Sequence, residues 1–472
     1  MLAQSRRLGA TSAPRCVLAG MDSETNTSDR SPSSEPSGLR HVARTAGISA
    51  ALALGVCALL VPTLEGMRHG YGTDEAYYLR YMEAVHEHGL AVLPRVTEEW
   101  NSGSENWIYP PPTRIGLSAA TGLWSLVRPP SMRSLSEFSI ACTAAFVVLS
   151  YLCARRVIGE FKALLLAVLL IGNCLALGLG RRALSDAANV LFQGASIWSF
   201  YFAMQAPAKW GRRMLFTAVF AATILTKEIG ALLSLAFLAS VPVCFPRDEL
   251  WTRLRVAVGS IGAAVSLSIL GWVTAAGGLD PWLLAISKLL GSPATNEWAQ
   301  AFCSGPWQRY VVDQFLLSPW TSALGLLAFG ATLRGRAEKC ANTPLLYLIV
   351  LYVVQLTVLA PFMKNARFGA ILELPLRLGA VVFLVELLLR PDNLRRRIAV
   401  AAVVLAVAAA QVRDFRAIFV EGQLYDPLTV HLVRHREMSP PLKSQAEFGT
   451  LPESGRARGR RRASNVAPPE DE

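Results

Sequence analysis

Asp74 and Glu75 stand side by side after Gly70-Tyr71-Gly72-Thr73. A carboxylate of this kind can serve as a general base that takes the proton of an acceptor hydroxyl. The pair also has a structural use. Thr73 is a good N-cap, and acids in a first helical turn meet the positive end of the helix dipole, worth about 0.3–1 kcal/mol each. The sequence predicts a helix from here to His88, ended by Gly89, with Tyr78, Met82 and Val85 on one face. Further on, Tyr109 is followed by Pro110-Pro111-Pro112-Thr113-Arg114. Three prolines impose an extended backbone. Arg114 then sits at the start of a short apolar helix, Ile115 to Leu126, where its guanidinium suits a phosphate held bidentately. Snorkelling to lipid headgroups is the alternative use.

Three more polar clusters interrupt apolar sequence. Arg181-Arg182 precede Asp186 and Asn189, and Lys364-Asn365 precede Arg367. These either line a pocket for an anionic headgroup or make ordinary headgroup contacts. Lys227-Glu228 is either a self-neutralising pair at a helix turn or part of the same pocket. Tyr78, Tyr109, Arg182, Asp186 and Lys227 are the pocket candidates. No ligand set demands a metal ion, although the pair at Asp74-Glu75 leaves room for a divalent cation.

The elements that must position these groups are membrane helices. The chain has 472 residues, 52% hydrophobic and 17% charged, where a soluble chain carries about a quarter charged. Its charges fall in short knots between apolar runs, several of them long enough for the roughly 20 residues that a spanning helix needs. Apolar segments lie at 45–64, 137–157, 162–180, 187–205, 214–245, 256–275, 316–333, 343–362, 369–389 and 398–412. The segment 214–245 would be about 47 Å long as one helix and has Lys227-Glu228 near its middle, where charge is costly in lipid. A turn at Lys227 puts every basic knot on the cytoplasmic side, as the positive-inside rule asks. The expectation is an all-α polytopic membrane protein of about eleven spans with a helical first external loop.

The expected organisation is a disordered cytoplasmic N-terminus over 1–44, a membrane domain over 45–412, and an external tail over 413–472. The membrane domain has external loops at 65–136 and 276–315, the second rich in tryptophan. In the tail, Leu428 to Met438 is a candidate short helix, and disorder is expected from about 440. The net charge of +12 belongs to the cytoplasmic knots; no RNA-binding signature or zinc-finger spacing accompanies it, so no nucleic-acid partner is expected. No CxxC pair occurs among the eight cysteines, which supports neither a disulfide framework nor a zinc site.

In order, these motifs resemble the polytopic GT-C glycosyltransferases, and within them the dolichyl-phosphate-mannose protein mannosyltransferase-like group that includes the aminoarabinose transferases. Asp74-Glu75 is similar to the Asp-Glu motif of that family's first external loop. Tyr109 to Arg114 is similar to its His-Pro-Pro-Leu-Gly-Lys segment, with Tyr109 in place of histidine. Arg182 to Asp186, Leu225-Thr226-Lys227 and Lys364 to Phe368 resemble three further segments, with Phe368 in place of tyrosine. The resemblance implies an inverting transfer of a sugar from a polyprenyl-phosphate donor to a hydroxyl acceptor on the extracytoplasmic side. In it Asp74 would be the base, with Glu75 supporting, and Arg114, Lys364 and Arg367 would hold the donor phosphate. It also implies a location in a bilayer, expected to be a bacterial inner membrane. The competing expectation is a transporter or lipid flippase, which predicts charges lining a path through the spans; a scaffold subunit with the same topology is a third.

Overall fold

The computed structural model describes residues 36–70, 73–334, 344–389 and 393–436. It divides into two compact units, Met1–Gly47 and Ile48–Glu472. The described part of the first, 36–47, is the opening of helix α1 (Pro36–Leu60), so the helix starts earlier than the expected boundary at 45. Residues 1–35 of the expected disordered N-terminus, and the tail beyond 436, lie outside the described residues.

Within the second unit the first loop is helical: α2 (Asp74–His88), α3 (Leu93–Ser102) and α4 (Ile115–Ser125). The membrane part follows as α5 (Met132–Ile158), α6 (Glu160–Ile171), α7 (Cys174–Gly180), α8 (Asp186–Gln205), α9 (Trp210–Thr226), α10 (Leu233–Cys244) and α11 (Leu250–Ala276). The second loop contains α12 (Leu279–Thr295), α13 (Glu297–Cys303) and α14 (Gln308–Leu317). The last group is α15 (Pro319–Arg334), α16 (Pro344–Leu359), α17 (Glu373–Val382), α18 (Leu394–Phe415) and the short α19 (Thr429–Arg436). No strand occurs among the described residues.

Every expected apolar segment coincides with helix, yet the count of eleven spans is not reproduced. Among the described residues five helical stretches are long and apolar enough to cross a bilayer, and α6 with α7, bent by 58°, makes up to six. The 214–245 segment does break at Lys227, whose backbone is extended (φ −159°, ψ 128°) between α9 and a 3-10 turn over Glu228–Leu232. An extended residue there lets the two charged side chains leave the helix axis in different directions.

Packing follows from small and aromatic residues. Phe200, Phe216, Phe220 and Phe237 form a buried ring cluster joining α8, α9 and α10, with Phe200 stacked on Phe237 at 4.6 Å. Where α15 crosses α17 the backbones nearly touch: a Cβ on Gly325 would lie 2.5 Å from the Leu376 carbonyl oxygen, so only glycine fits. Such close approach is how helices associate without a hydrophobic drive between them. The same device sets the site. A Cβ on Gly116 would fall 2.9 Å from the Leu225 backbone, so the start of α4 lies hard against the end of α9.

Candidate active site

Helix α2 forms as its sequence directs. The Thr73 hydroxyl accepts from the Glu75 N–H at 3.4 Å, and Gly89, with φ 69°, ends the helix by donating to Val85. Tyr78, Met82 and Val85 are buried on one face. The two acids of the first turn then diverge. Glu75 is wholly buried. Its Oε2 accepts from the Gly70 N–H at 2.8 Å, and its Oε1 accepts from the Ala183 N–H at 3.0 Å and lies 3.4 Å from Arg182 Nε. Burial alone would raise its pKa; the Arg182 charge, His69 and the Gly70 N–H outweigh it and hold the carboxyl at about 2. Glu75 is thus a fixed anion that ties the first loop to the chain just before α8.

Asp74 keeps 26% of its side chain exposed. Burial pushes its pKa above the usual carboxylate range, the Asp426 charge adds to this, and Arg367 opposes it most strongly. Arg367 Nη1 lies 3.4 Å from Asp74 Oδ2 and 3.8 Å from Asp186 Oδ2, while its Nε is 3.3 Å from Asp426 Oδ1. Three carboxylates from distant parts of the chain therefore surround one guanidinium. Among the described residues no group of three or more His, Cys, Asp or Glu is placed to hold a metal.

The Lys227-Glu228 pair does not neutralise itself. Lys227 Nζ donates to Asp186 Oδ1 at 2.6 Å and lies 5.2 Å from the Phe368 ring centre. Glu228 instead accepts a fork from Arg114, at 3.0 Å from Nε and 2.9 Å from Nη2. The close approach at Gly116 brings α4 within reach of that carboxylate. Arg114 Nη1 also donates to the Tyr78 hydroxyl, which shares a hydrogen bond with Ser185 at 2.8 Å. Arg114 is therefore satisfied by Glu228 and not held as an open cation. A small hollow lies beside it, lined by Tyr78, Leu117, Phe138 and Leu184.

Of the other candidates, Arg182 donates to the Arg68 carbonyl at 2.9 Å and stacks on Tyr425, 4.5 Å from its ring centre. Tyr109 stacks on Tyr77 at 4.2 Å, and the Tyr81 hydroxyl donates to the Pro110 carbonyl at 2.8 Å, fixing the triple-proline segment over α2. Burial raises the Tyr109 pKa, and the Asp74 charge adds to it. Lys364 stands apart. Its ammonium donates to the carbonyls of Ala360 and Phe362, at 2.6 and 2.5 Å, and has no carboxylate partner among the described residues. Sequence reasoning missed Tyr425 and Asp426. The signal available was an acid and an aromatic inside Leu424-Tyr425-Asp426-Pro427-Leu428, a mostly apolar stretch directly after the last long helix.

Residues 120–272 match the model of the dolichyl-phosphate-mannose-protein mannosyltransferase family. No curated protein matches the chain significantly. Among solved structures, the chain is similar to ArnT from Cupriavidus metallidurans in the apo state, with 15% identity, a TM-score of 0.55, and 89% of each chain covered. It is also similar to the archaeal oligosaccharyltransferase AglB from Archaeoglobus fulgidus, solved with an inhibitory peptide and a dolichol-phosphate. There the identity is 12% and the TM-score 0.51, over 90% of this chain and 61% of that one. This chain is a multi-pass helical membrane protein with the ArnT-like GT-C fold, and its residues 120–272 match the dolichyl-phosphate-mannose-protein mannosyltransferase family.

Proposed function

We propose that this chain is a membrane-embedded glycosyltransferase that moves a sugar from a polyprenyl-phosphate donor to a hydroxyl acceptor on the extracytoplasmic face. The observation that carries this reading is Asp74: a partly exposed carboxylate with a raised pKa, one hydrogen bond from the Arg367 guanidinium. A base and a phosphate ligand within one contact are what such a transfer needs. The ArnT-like fold and the family match support the choice of substrate class, since the AglB structure holds a dolichol-phosphate.

In this reading Asp74 takes the acceptor's hydroxyl proton. The freed oxygen attacks the anomeric carbon from the face opposite the phosphate, the bond from that carbon to the phosphate oxygen breaks, and the configuration inverts. The departing lipid phosphate carries the negative charge and is stabilised by cations preorganised beside it. Arg367 supplies one, through a buried Nε N–H that has no hydrogen-bond partner. Lys364, whose ammonium meets backbone carbonyls and no carboxylate among the described residues, would have to swing toward the phosphate to supply another. Arg114 contributes less directly: its fork to Glu228 and its bond to Tyr78 fix the wall of the site. Glu75 holds the loop that carries Asp74, and Lys227 with Asp186 sets the floor beneath Arg367.

The test is mass analysis of membrane glycolipids and extracytoplasmic glycans from cells carrying the intact gene or Asp74→Asn. Loss of one sugar-modified species, with the unmodified acceptor and charged donor lipid accumulating, is the expected result. An unchanged glycan profile with a folded, inserted Asp74→Asn protein would remove the assignment.

A further inference from the structure

The chain beyond the last long helix returns to the site. After α18 a π turn covers Arg416–Glu421, and the segment 422–428 then runs back beside α2 and the 365–367 turn. Gln423 takes a left-handed backbone (φ 50°); its Oε1 accepts from the Arg68 N–H at 3.3 Å and its Nε2 donates to the Val420 carbonyl at 2.8 Å. Tyr425 lies under Arg182. Asp426 is buried, and its Oδ1 accepts from Asn365 Nδ2 at 2.6 Å while standing 3.3 Å from Arg367 Nε. Helix α19 anchors the segment: the Thr429 hydroxyl donates to Asp313 and accepts from Arg309 Nε at 3.3 Å.

We propose that Asp426 is a positioning residue of the transfer site, which holds Arg367 by its Nε edge until the donor phosphate takes that edge over. The inference rests on the reading of Arg367 as a phosphate ligand. Three carboxylates compete for this guanidinium, and they are not equally replaceable. Asp186 has a second cation in Lys227, at 2.6 Å, and stays neutralised whichever way Arg367 turns. Asp74 meets Nη1 with a hydrogen bond. Asp426 faces Nε within ion-pair distance, but that N–H makes no hydrogen bond. A phosphate oxygen arriving there gains a charge-assisted hydrogen bond that Asp426 does not make, and Asp426 keeps its bond to Asn365. The Nε N–H, which has no hydrogen bond to lose, is therefore the donor on which phosphate competes directly with the Asp426 charge. Its negative charge also lies near enough to Asp74 to favour the protonated carboxyl, which strengthens Asp74 as a base once deprotonated.

The test uses the purified full chain in nanodiscs, with undecaprenyl phosphate as the probe and its affinity measured at neutral pH. Asp426→Asn, which removes the competing charge and keeps the shape, is expected to bind several-fold more tightly than wild type. Asp426→Glu is expected to return the affinity toward wild type, and Arg367→Gln to weaken it. A merely structural aspartate would show loss, not gain. Equal or weaker binding by Asp426→Asn, at an unchanged melting temperature, overturns the proposal. Where Asp426→Asn does not purify folded, Asp426→Ser removes the same charge; tightening is again expected, and unchanged affinity overturns the proposal. Absence of binding by wild type would remove the donor reading and this inference with it. Wild-type binding that Asp426→Asn leaves unchanged removes only the role of Asp426.

Discussion

Glu373 and Arg377, one turn apart in α17, are almost wholly buried and pair with each other. Arg377 spends its remaining donors on the Leu169 carbonyl at 3.0 Å, Ser318 at 3.1 Å and Gln411 at 3.3 Å, and Gln411 donates onward to Thr321 at 2.9 Å. One acid meets one base within a single helix, and neutral groups from α6, α15 and α18 close the shell. The set around Asp74 is built the other way. Its acids and bases come from different elements, one guanidinium is shared by three carboxylates, and one of the three is partly open to solvent. The first arrangement has one stable state and pins helices together. The second shares one cation among three acids at 3.3, 3.4 and 3.8 Å, an arrangement in which a charged ligand can replace one of them. The contrast also bears on the transporter reading: the buried pair of α17 is closed on its Arg377 side by neutral neighbours and does not continue into a charged path among the described residues.

Substitutions can break each side of this contrast. Asp74→Asn should have the largest effect on catalysis, a fall of about 10²–10⁴ in turnover as expected for loss of a general base, with the thermal melting point nearly unchanged. A matching stability loss would move Asp74 to the structural class. On the other side, Arg377→Ala should cost roughly 3–5 kcal/mol, because it strands a buried carboxylate. Replacing Glu373 and Arg377 together by Leu and Met should be far milder, and unfolding in detergent measures the difference.

Glu75 tests whether a residue of the site's own helix can belong to the pinning class. Its folded pKa of about 2 lies below the ordinary 4.5, so its ionised form stabilises the fold above that ordinary value and the contribution fades as pH falls toward 2. Glu75→Gln should therefore lose roughly 3 kcal/mol at neutral pH, at 1.36 kcal/mol per pH unit, and approach wild type in acid. A pH-independent difference between the two would break the assignment. Arg114→Lys should give the smallest change: it forfeits the fork to Glu228, about 1 kcal/mol of stability, and shifts donor affinity only slightly. A large affinity loss there would return Arg114 to direct phosphate binding.

The parts that could be read in advance are those decided locally. Thr73, Asp74 and Gly89 mark the ends of α2 because capping and left-handed backbone act within one turn. Lys227 announces a break because charge within a long apolar run has few other uses. Pairing was not readable. Lys227 and Glu228 are neighbours in sequence, yet one meets Asp186 and the other Arg114, since partner choice depends on the close crossing at Gly116. Lys364 and Arg367 share a motif, but only Arg367 reaches Asp74. Asp426 was hidden for a further reason: nothing within the tail shows that it folds back over the turn at Asn365. The span count depends on short apolar helices such as α10 and α16, whose length alone does not mark them as full crossings.

The contact between Asp74 and Arg367 joins residues 293 positions apart, and Asp426 lies later still. In a chain made from its N-terminus and threaded into a bilayer helix by helix, Asp74 is delivered early and its partners late. The nascent polypeptide carries Asp74 through most of its synthesis without Arg367 or Asp426 beside it. Release of the segment around 426 from the ribosome is then the earliest point at which the charge cluster around Arg367 can close.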